Sequence, residues 1–453
     1  MPTVDQVLAK LWEYHQRGNY SGAEAGYREL LTKVPRNANA HVYLGIVLFD
    51  QHQFSAAIES YRQALAIQHR FPVAWNNLGN ALRMVGQVEQ ADEAFQTALD
   101  QRPDYANALK NRGTLWVWAG EIERGLEWYR QALQLTPDDP ELQRNLGVIY
   151  LLQGRFQEGW QAYRYRWQMP GMRRPNLPQP IWEGQPLAGK TIFVYPEQGL
   201  GDAIQFARMI GTLRQQGAEV IFGCEPKLVP LFSGLAGVGE IVPVGGSLRS
   251  LDYHASLVEV ADRSWQGSEA ISGTPYLSAP ENLVGYWQSR LRGLANMKVG
   301  ICWQGNRDHH ADIYRSLSLE TLRPLATIEH VDLVSLQFGA GSEQIDQVDW
   351  GQRLVRLPAN IDQSGGAFLD TAAVISNLDL VITTDTSCGH LAGALGIPTW
   401  LLLGKVPDWR WGMSGQRTPW YQHHRLWRQS TVGEWGPVID AVAAELAGMV
   451  VKE

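Results

Sequence analysis

Residues 378–403 read LDLVITTDTSCGHLAGALGIPTWLLL, and the reading of the C-terminal part of the chain turns on them. Leu380, Val381 and Ile382 form an apolar, β-rich run that fits a buried strand. Thr383, Thr384, Asp385, Thr386 and Ser387 then place hydrogen-bonding side chains in unbroken succession. Gly389, Ala392, Gly393 and Ala394 follow at helical spacing, Gly396 and Pro398 end the helix, and Thr399–Leu403 returns as a second strand. Such a unit belongs to a parallel sheet, whose ligands sit beyond the carboxyl ends of the strands. The Asp385–Ser387 turn falls there, at a helix N-terminus. Free N–H groups and the helix dipole suit an anion such as a diphosphate at that point. The alternative is that Asp385 or Thr386 is an ordinary helix cap.

Upstream, the same alternation begins at Thr191–Tyr195, a strand followed by the turn Gly199-Leu200-Gly201-Asp202 and an amphipathic helix over Ala203–Gln215. Strands are expected at Glu219–Phe222, Glu240–Val242 and Asp252–Val258, with a helix near Lys227–Leu235. A helix over Leu283–Leu294 closes this half, and Lys298–Trp303 opens another. The second half has expected strands at Val331–Leu336, Arg353–Arg356, Leu380–Thr383 and Thr399–Leu403. Its helices are expected at Ser318–Thr327, Ala367–Leu378, Ser387–Leu395 and about Glu434–Val450. The pattern indicates two doubly wound α/β halves, 191–295 and 296–453, with a cleft between them. Three loops should face it: 199–202, 385–387, and Trp303–Asp308 with His309 and His310, running on to Asp312, Arg315 and Ser316. Pro407-Asp408-Trp409-Arg410-Trp411 should lie at its rim, with a tryptophan stacked on a base or sugar or simply packed. The glycine turn is no P-loop and lacks GxGxxG. An acid at a helix start repels phosphate, so Asp202 fits a base or hydroxyl-binding group, or else an N-cap.

The first third has a different period. Gly45, Gly79, Gly113 and Gly147 are 34 residues apart; Tyr27, Tyr61, Phe95, Tyr129 and Tyr163 keep that spacing, as do Ala23, Ala57 and Ala91, continued by Gly125 and Gly159. Ala64, Ala98 and Ala132, and Pro35, Pro103 and Pro137, are in phase. This resembles the tetratricopeptide repeat, an α-solenoid of helix pairs. Five units are read, 4–37, 38–71, 72–105, 106–139 and 140–168; Leu11 in place of glycine and Arg166 in place of alanine suit capping repeats. Asn77, Asn111 and Asn145 recur on successive first helices, where a column of carboxamides could grip a peptide backbone. Residues 169–190, proline-rich but with Trp182, Ile181 and Leu187, read as an ordered linker.

Composition narrows the function. A net charge of −7 argues against a nucleic-acid binder. Cys224, Cys302 and Cys388 form no metal spacing and no disulfide framework, so a reducing, cytoplasmic setting is expected. No signal-peptide core or membrane span is expected. His309-His310 with Asp312 reads as a polar loop rather than a metal site, and no metal or other cofactor is expected.

Three stretches together carry a more specific likeness: Glu197–Arg208 (EQGLGDAIQFAR), the WQGN…D…RS segment, and Asp385-Thr386 with His390-Leu391-Ala392. The C-terminal region resembles the ADP-heptose:lipopolysaccharide heptosyltransferase-like glycosyltransferases (glycosyltransferase family nine), of GT-B fold. The whole chain looks like bacterial proteins in which tetratricopeptide repeats precede such a domain. The resemblance implies metal-independent, inverting transfer from a nucleotide-diphosphate sugar to a protein or glycan recruited by the repeats. It implies Asp202 as catalytic base, and Arg315, Ser316, Asp385, Thr386, Ser387 and His390 around the donor and its phosphates. Further substrate-binding candidates are Gly199, Gly201, Gln205, Asn306, Asp408 and Trp409. The family often has glycine where Ser387 stands, and usually lysine where Arg315 does. A non-catalytic scaffold with a degenerate GT-B domain is the competing reading, and a sugar-nucleotide epimerase of this fold a third.

Overall fold

The computed structural model describes residues 2–450 except 198, 266, 268–270, 308, 310 and 364. Two compact units divide the chain, Met1–Leu146 and Gly147–Glu453. The boundary thus falls inside the expected 1–168 array, and residues 147–168 count with the α/β part.

The first unit is a helical repeat solenoid. Its helices are α1 (Val4–Gln16), α2 (Tyr20–Lys33), α3 (Ala38–Asp50), α4 (Phe54–Ile67), α5 (Pro72–Met84), α6 (Val88–Gln101), α7 (Ala106–Trp118) and α8 (Ile122–Leu135), with α9 (Pro140–Leu152) crossing the boundary. The periodic glycine is where the two helices of a pair touch: a Cβ on Gly79 would lie 2.6 Å from Phe95 Cε1. Gly45 meets Tyr61, and Gly113 meets Tyr129, in the same way. The aromatic therefore fills the interface of its own pair. In the first pair the roles are exchanged, since Leu11 packs down on Gly26. Residues 18, 52, 86, 120 and 154, again in 34-residue register, hold the left-handed turn between paired helices; His52, at φ 59°, stands where the others are glycine.

The second unit begins with the end of α9, α10 (Phe156–Tyr163) and a 3-10 turn over Arg164–Gln168. The linker then lies along the first sheet: Trp182 is buried and its backbone N–H donates to the His254 carbonyl (2.8 Å). That sheet holds β1 (Thr191–Tyr195), β2 (Glu219–Cys224), β3 (Glu240–Pro243) and β4 (Tyr253–Ser256), all parallel, in the order β3-β2-β1-β4. Its helices are α11 (Leu200–Phe206), α12 (Met209–Gln215), α13 (Val229–Phe232) and α14 (Leu257–Arg263), and α15 (Glu281–Arg290) leads onward. The second sheet holds β5 (Met297–Cys302), β6 (Val331–Ser335), β7 (Leu354–Val355), β8 (Leu380–Thr384), β9 (Thr399–Leu403) and β10 (His424–Arg428). Its order is β10-β9-β8-β5-β6-β7, also all parallel. Helices α16 (Asp312–Arg315), α17 (Arg323–Ala326), α18 (Leu369–Ile375), α19 (Ser387–Leu395) and α20 (Gly436–Val450) complete it. In each sheet the chain reverses direction beside its first strand, between β1 and β4 and between β5 and β8. Those are the crevices where ligands of such sheets bind.

Three expectations change. The helix over 203–215 is two helices, because residues 207–208 form a tight turn in which Ile210 N–H reaches the Ala207 carbonyl (3.1 Å). The strand over 252–258 stops at Ser256, which caps α14: its hydroxyl accepts from Glu259 N–H (3.0 Å), and the Glu259 carboxylate accepts from Ser256 N–H (3.1 Å). Strand β10 was not anticipated. No helix among the described residues is long and apolar enough to cross a membrane.

Candidate functional site

Asp202 lies in the first turn of α11, after Gly199, whose φ of 71° turns the chain off β1. Its carboxylate is held from the second sheet's side by Arg410, Nη2 to Oδ1 2.6 Å. Burial is the main force on this carboxyl and pushes it up to about 6. Arg410 opposes that shift, Asp408 and Glu197 add to it, and Arg166 opposes it. The side chain nevertheless keeps 36% of its surface open to solvent. Arg410 is fixed in turn by Asp408, which accepts from Nη1 (2.7 Å) and from the Arg410 N–H (3.1 Å). Its guanidinium lies over Phe206 (5.1 Å) and Trp409 (5.0 Å). Asp408 therefore orients an arginine, and Trp409 is 4% exposed, packed against Trp160 (5.2 Å) and Trp420 (6.1 Å). Trp160 and Trp420 also flank Trp265 (5.8 and 6.1 Å), so of the two readings of this rim, stacked on a ligand or packed, Trp409 follows the packed one.

Gly201 serves contact between helices. A Cβ there would lie 3.0 Å from His390 Cδ2 and 3.6 Å from Ser387 Cα. The loop bearing Asp202 is thereby brought against the start of α19. Thr386 occupies the N-cap position of α19 but makes no side-chain cap bond; its hydroxyl lies 3.1 Å from Thr383 Oγ1 and 3.8 Å from Cys302 Sγ. The N–H groups of Ser387 and Cys388, at the first helical positions, have no intrahelical acceptor. Asp385 stands 4.0 Å from His390 Nε2 and is pushed up to about 6, chiefly by burial and then by Asp408, against Arg315. His390 is buried, hydrogen-bonded through Nδ1 to Tyr421 Oη (3.0 Å) and stacked on Trp411 (5.4 Å). Burial, then Arg410 and His424, hold its pKa well below the usual value, so the ring is neutral.

The third segment joins them. Arg315 donates from Nη1 to the Asp385 carbonyl (3.3 Å) and reaches Asp312 through Nε (3.4 Å). Its guanidinium crosses Gly305, where a Cβ would sit 2.7 Å from Nη2. Ser316 is occupied otherwise: its hydroxyl donates to Asp312 Oδ1 (2.6 Å) and accepts from Gly305 N–H (2.9 Å). Asn306 is exposed. Gln198, Asp308 and His310 lie outside the described residues. Gln205 is fully buried, and neither atom of its amide has a hydrogen-bond partner among the described residues. Among the described residues no group of three His, Cys, Asp or Glu side chains is placed to hold a metal ion.

In the solenoid, Asn77, Asn111 and Asn145 do not form an unbroken column. Asn111 Nδ2 donates to Asn76 Oδ1 (2.9 Å), Asn76 donates to Asn77 (3.3 Å), and Asn145 accepts from Arg144 (2.7 Å). Sequence reasoning placed Asp312 only on a loop expected to face the cleft, and gave no site role to Tyr421 or Arg166. The last stood out only as a break in the repeat, yet it is 3% exposed and paired with Glu197, so it is no exposed cap.

The class these features define is a tetratricopeptide-repeat array followed by two parallel α/β sheets. A model of the tetratricopeptide repeat matches residues 72–105, and one described as TPR repeat matches 47–86 and 119–154. Protein FlbA of Caulobacter vibrioides is 28% identical over 308 residues, 62% of this chain and 49% of FlbA; the chain thus spans about half the length of that relative. Among solved structures, pilF of Pseudomonas aeruginosa is similar at 20% identity, over 47% of this chain and 86% of that one, with a TM-score of 0.35. A thermophilic TPR protein from Thermus thermophilus is similar at 23% identity, over 37% of this chain and 91% of that one, with a TM-score of 0.34.

Proposed function

We propose that the second unit is a GT-B-type glycosyltransferase taking a sugar from a nucleotide-diphosphate donor. Its acceptor is a protein or glycan engaged by the repeats, which suit peptide recognition. One observation supports this reading above the rest. Asp202 from the first sheet meets Arg410, on the loop after β9, 2.6 Å apart, while Gly201 beside it touches α19, whose first N–H groups have no intrahelical acceptor. In this reading Asp202 is the base and the start of α19 the anion cradle, each at the carboxyl end of its own sheet. The crevice of the first sheet is filled by its own side chains, described below, which leaves the donor to the β5–β8 crevice.

In this mechanism Asp202 accepts the proton of the acceptor hydroxyl as that oxygen attacks the anomeric carbon from the face opposite the diphosphate, inverting it. General-base assistance is worth about 10²–10⁴-fold. The Ser387 and Cys388 N–H groups and Arg315 stabilise charge on the departing diphosphate, without a metal ion. Neutral His390 donates no charge and holds α19 against Gly201.

Thermal unfolding with nucleoside diphosphates and nucleotide sugars tests the donor. A ligand at about 100 times its Kd should add roughly 2.7 kcal/mol of stability. The shift should favour one nucleotide, disappear in Arg315→Ala and persist in Asp202→Asn, which should bind donor but not turn over. No shift with any nucleotide would reject the reading in favour of a scaffold.

A further inference from the structure

The crevice between β1 and β4 is the ligand crevice of the first sheet, and three of the chain's own residues close it. Glu197 follows β1 and Ser256 ends β4; the Ser256 hydroxyl donates to Glu197 Oε1 (2.5 Å). Arg166, from the turn after α10, then takes both carboxylate oxygens, Nε to Oε2 at 2.7 Å and Nη2 to Oε1 at 2.5 Å. The two side chains are 4% and 5% exposed. Arg166 is itself fixed: Nη1 donates to the Tyr163 carbonyl (3.2 Å), and the guanidinium lies over the Tyr163 and Trp167 rings (4.7 and 5.1 Å). Two further arginines of the same segment repeat the arrangement. Arg164 forks onto Asp262 (2.8 and 3.0 Å), and Arg174 reaches Glu259 (2.6 Å), both carboxylates being 2% exposed.

A segment that only tethered two parts would not send three arginines to buried acids of the first sheet's half. We infer that Arg166 is a positioning residue for Asp202: by forking onto Glu197 it holds the end of the chain leaving β1 ahead of the proposed base and balances the Glu197 charge that acts on it. The inference rests on the transfer reading for its consequence, but not for its test. Asp202 is faced by Arg410 and Asp408 from the loop after β9, by Glu197 from the end of β1, and by Arg166 and Tyr163 from the segment around α10. Glu197 and Arg166 act on it with opposite signs, so within the intact pair each offsets the other, and removing one partner leaves the other's effect unopposed.

The test titrates the full-length protein, without substrate, labelled at the aspartate carboxyl carbon and read by NMR, with Asp202→Asn assigning the resonance. Arg166→Met should raise the Asp202 midpoint by about one pH unit, Glu197→Gln should lower it comparably, and the double variant should return close to the starting value. A midpoint unmoved by Glu197→Gln, the milder change, overturns the inference and leaves the pair a brace. If Arg166→Met does not fold, Glu197→Gln and the double variant still decide. Because no substrate is present, absence of turnover leaves this result standing, and an unmoved midpoint leaves the transfer reading standing.

Discussion

Replacing Arg410 by methionine removes the cation beside Asp202 while keeping a stem that can lie between Phe206 and Trp409. With Nη2 and Oδ1 2.6 Å apart, the charge centres are about 4 Å apart; at an effective dielectric constant of 20 that is worth about 4 kcal/mol. Asp202 keeps 36% of its side chain in solvent, so screening lowers the value to about 1–2 kcal/mol, toward the roughly 1 kcal/mol or less of a fully exposed pair. This corresponds to about one pKa unit. The direction is fixed by sign: losing a positive neighbour favours the protonated acid, so the Asp202 midpoint should rise from about 6 to roughly 7. At pH 6.5 the ionised fraction would fall about threefold. The assay is kcat/KM against pH with the donor found by thermal unfolding, in which the acid limb should move up by about one unit and the high-pH plateau be largely kept. An acid limb that stays in place, or moves down, would refute Asp202 as the titrating base under the control of Arg410.

Two stability predictions follow from packing and burial. Gly201→Ala should cost about 1–3 kcal/mol, seen as a lowered Tm, because its Cβ would press on an imidazole pinned by Tyr421 and Trp411; an unchanged Tm would mean that α11 and α19 can part freely. His424 is fully buried, and burial pushes it down to about 3 from 6.5. Its contribution is complete above pH 6.5 and is lost as pH falls toward 3, by about 1.4 kcal/mol per unit. Asp202 and Asp385, raised to about 6, act in the opposite sense, with stability present at low pH and lost as pH rises through that value. His424→Phe should therefore flatten the loss of unfolding free energy between pH 7 and 5 by about 2 kcal/mol, measured with urea; an unchanged slope would refute the burial argument.

The parts of the fold that sequence revealed are those built by local repetition. Glycine at 34-residue intervals gave the helix pairs because Gly45, Gly79 and Gly113 must each pass an aromatic ring at close range, and Gly147 the backbone at Tyr163. Small residues between Ser387 and Leu395 gave α19 with its observed ends. What remained hidden depends on partners remote in the chain. Arg166 and Glu197 form one unit only after folding, as do Arg410 and Asp202. No periodicity distinguishes an indole that lines a cleft from one wedged among other indoles, which is where Trp409 lies. Helix α14 could have been found: the Ser256-Leu257-Val258-Glu259 run is a capping-box signature, masked by the apolar stretch around it.

The cluster of four indoles that includes Trp409 has an optical consequence. Trp160 comes from the segment before the linker, Trp265 from the end of the first sheet's half, and Trp409 and Trp420 from the second half. Indoles with centroids 5.2–6.1 Å apart couple as electronic oscillators, and their near-ultraviolet circular dichroism depends steeply on mutual distance and angle. Any movement of one sheet against the other would rewrite that spectrum. The chain thus carries a label-free gauge of how its two sheets stand toward one another.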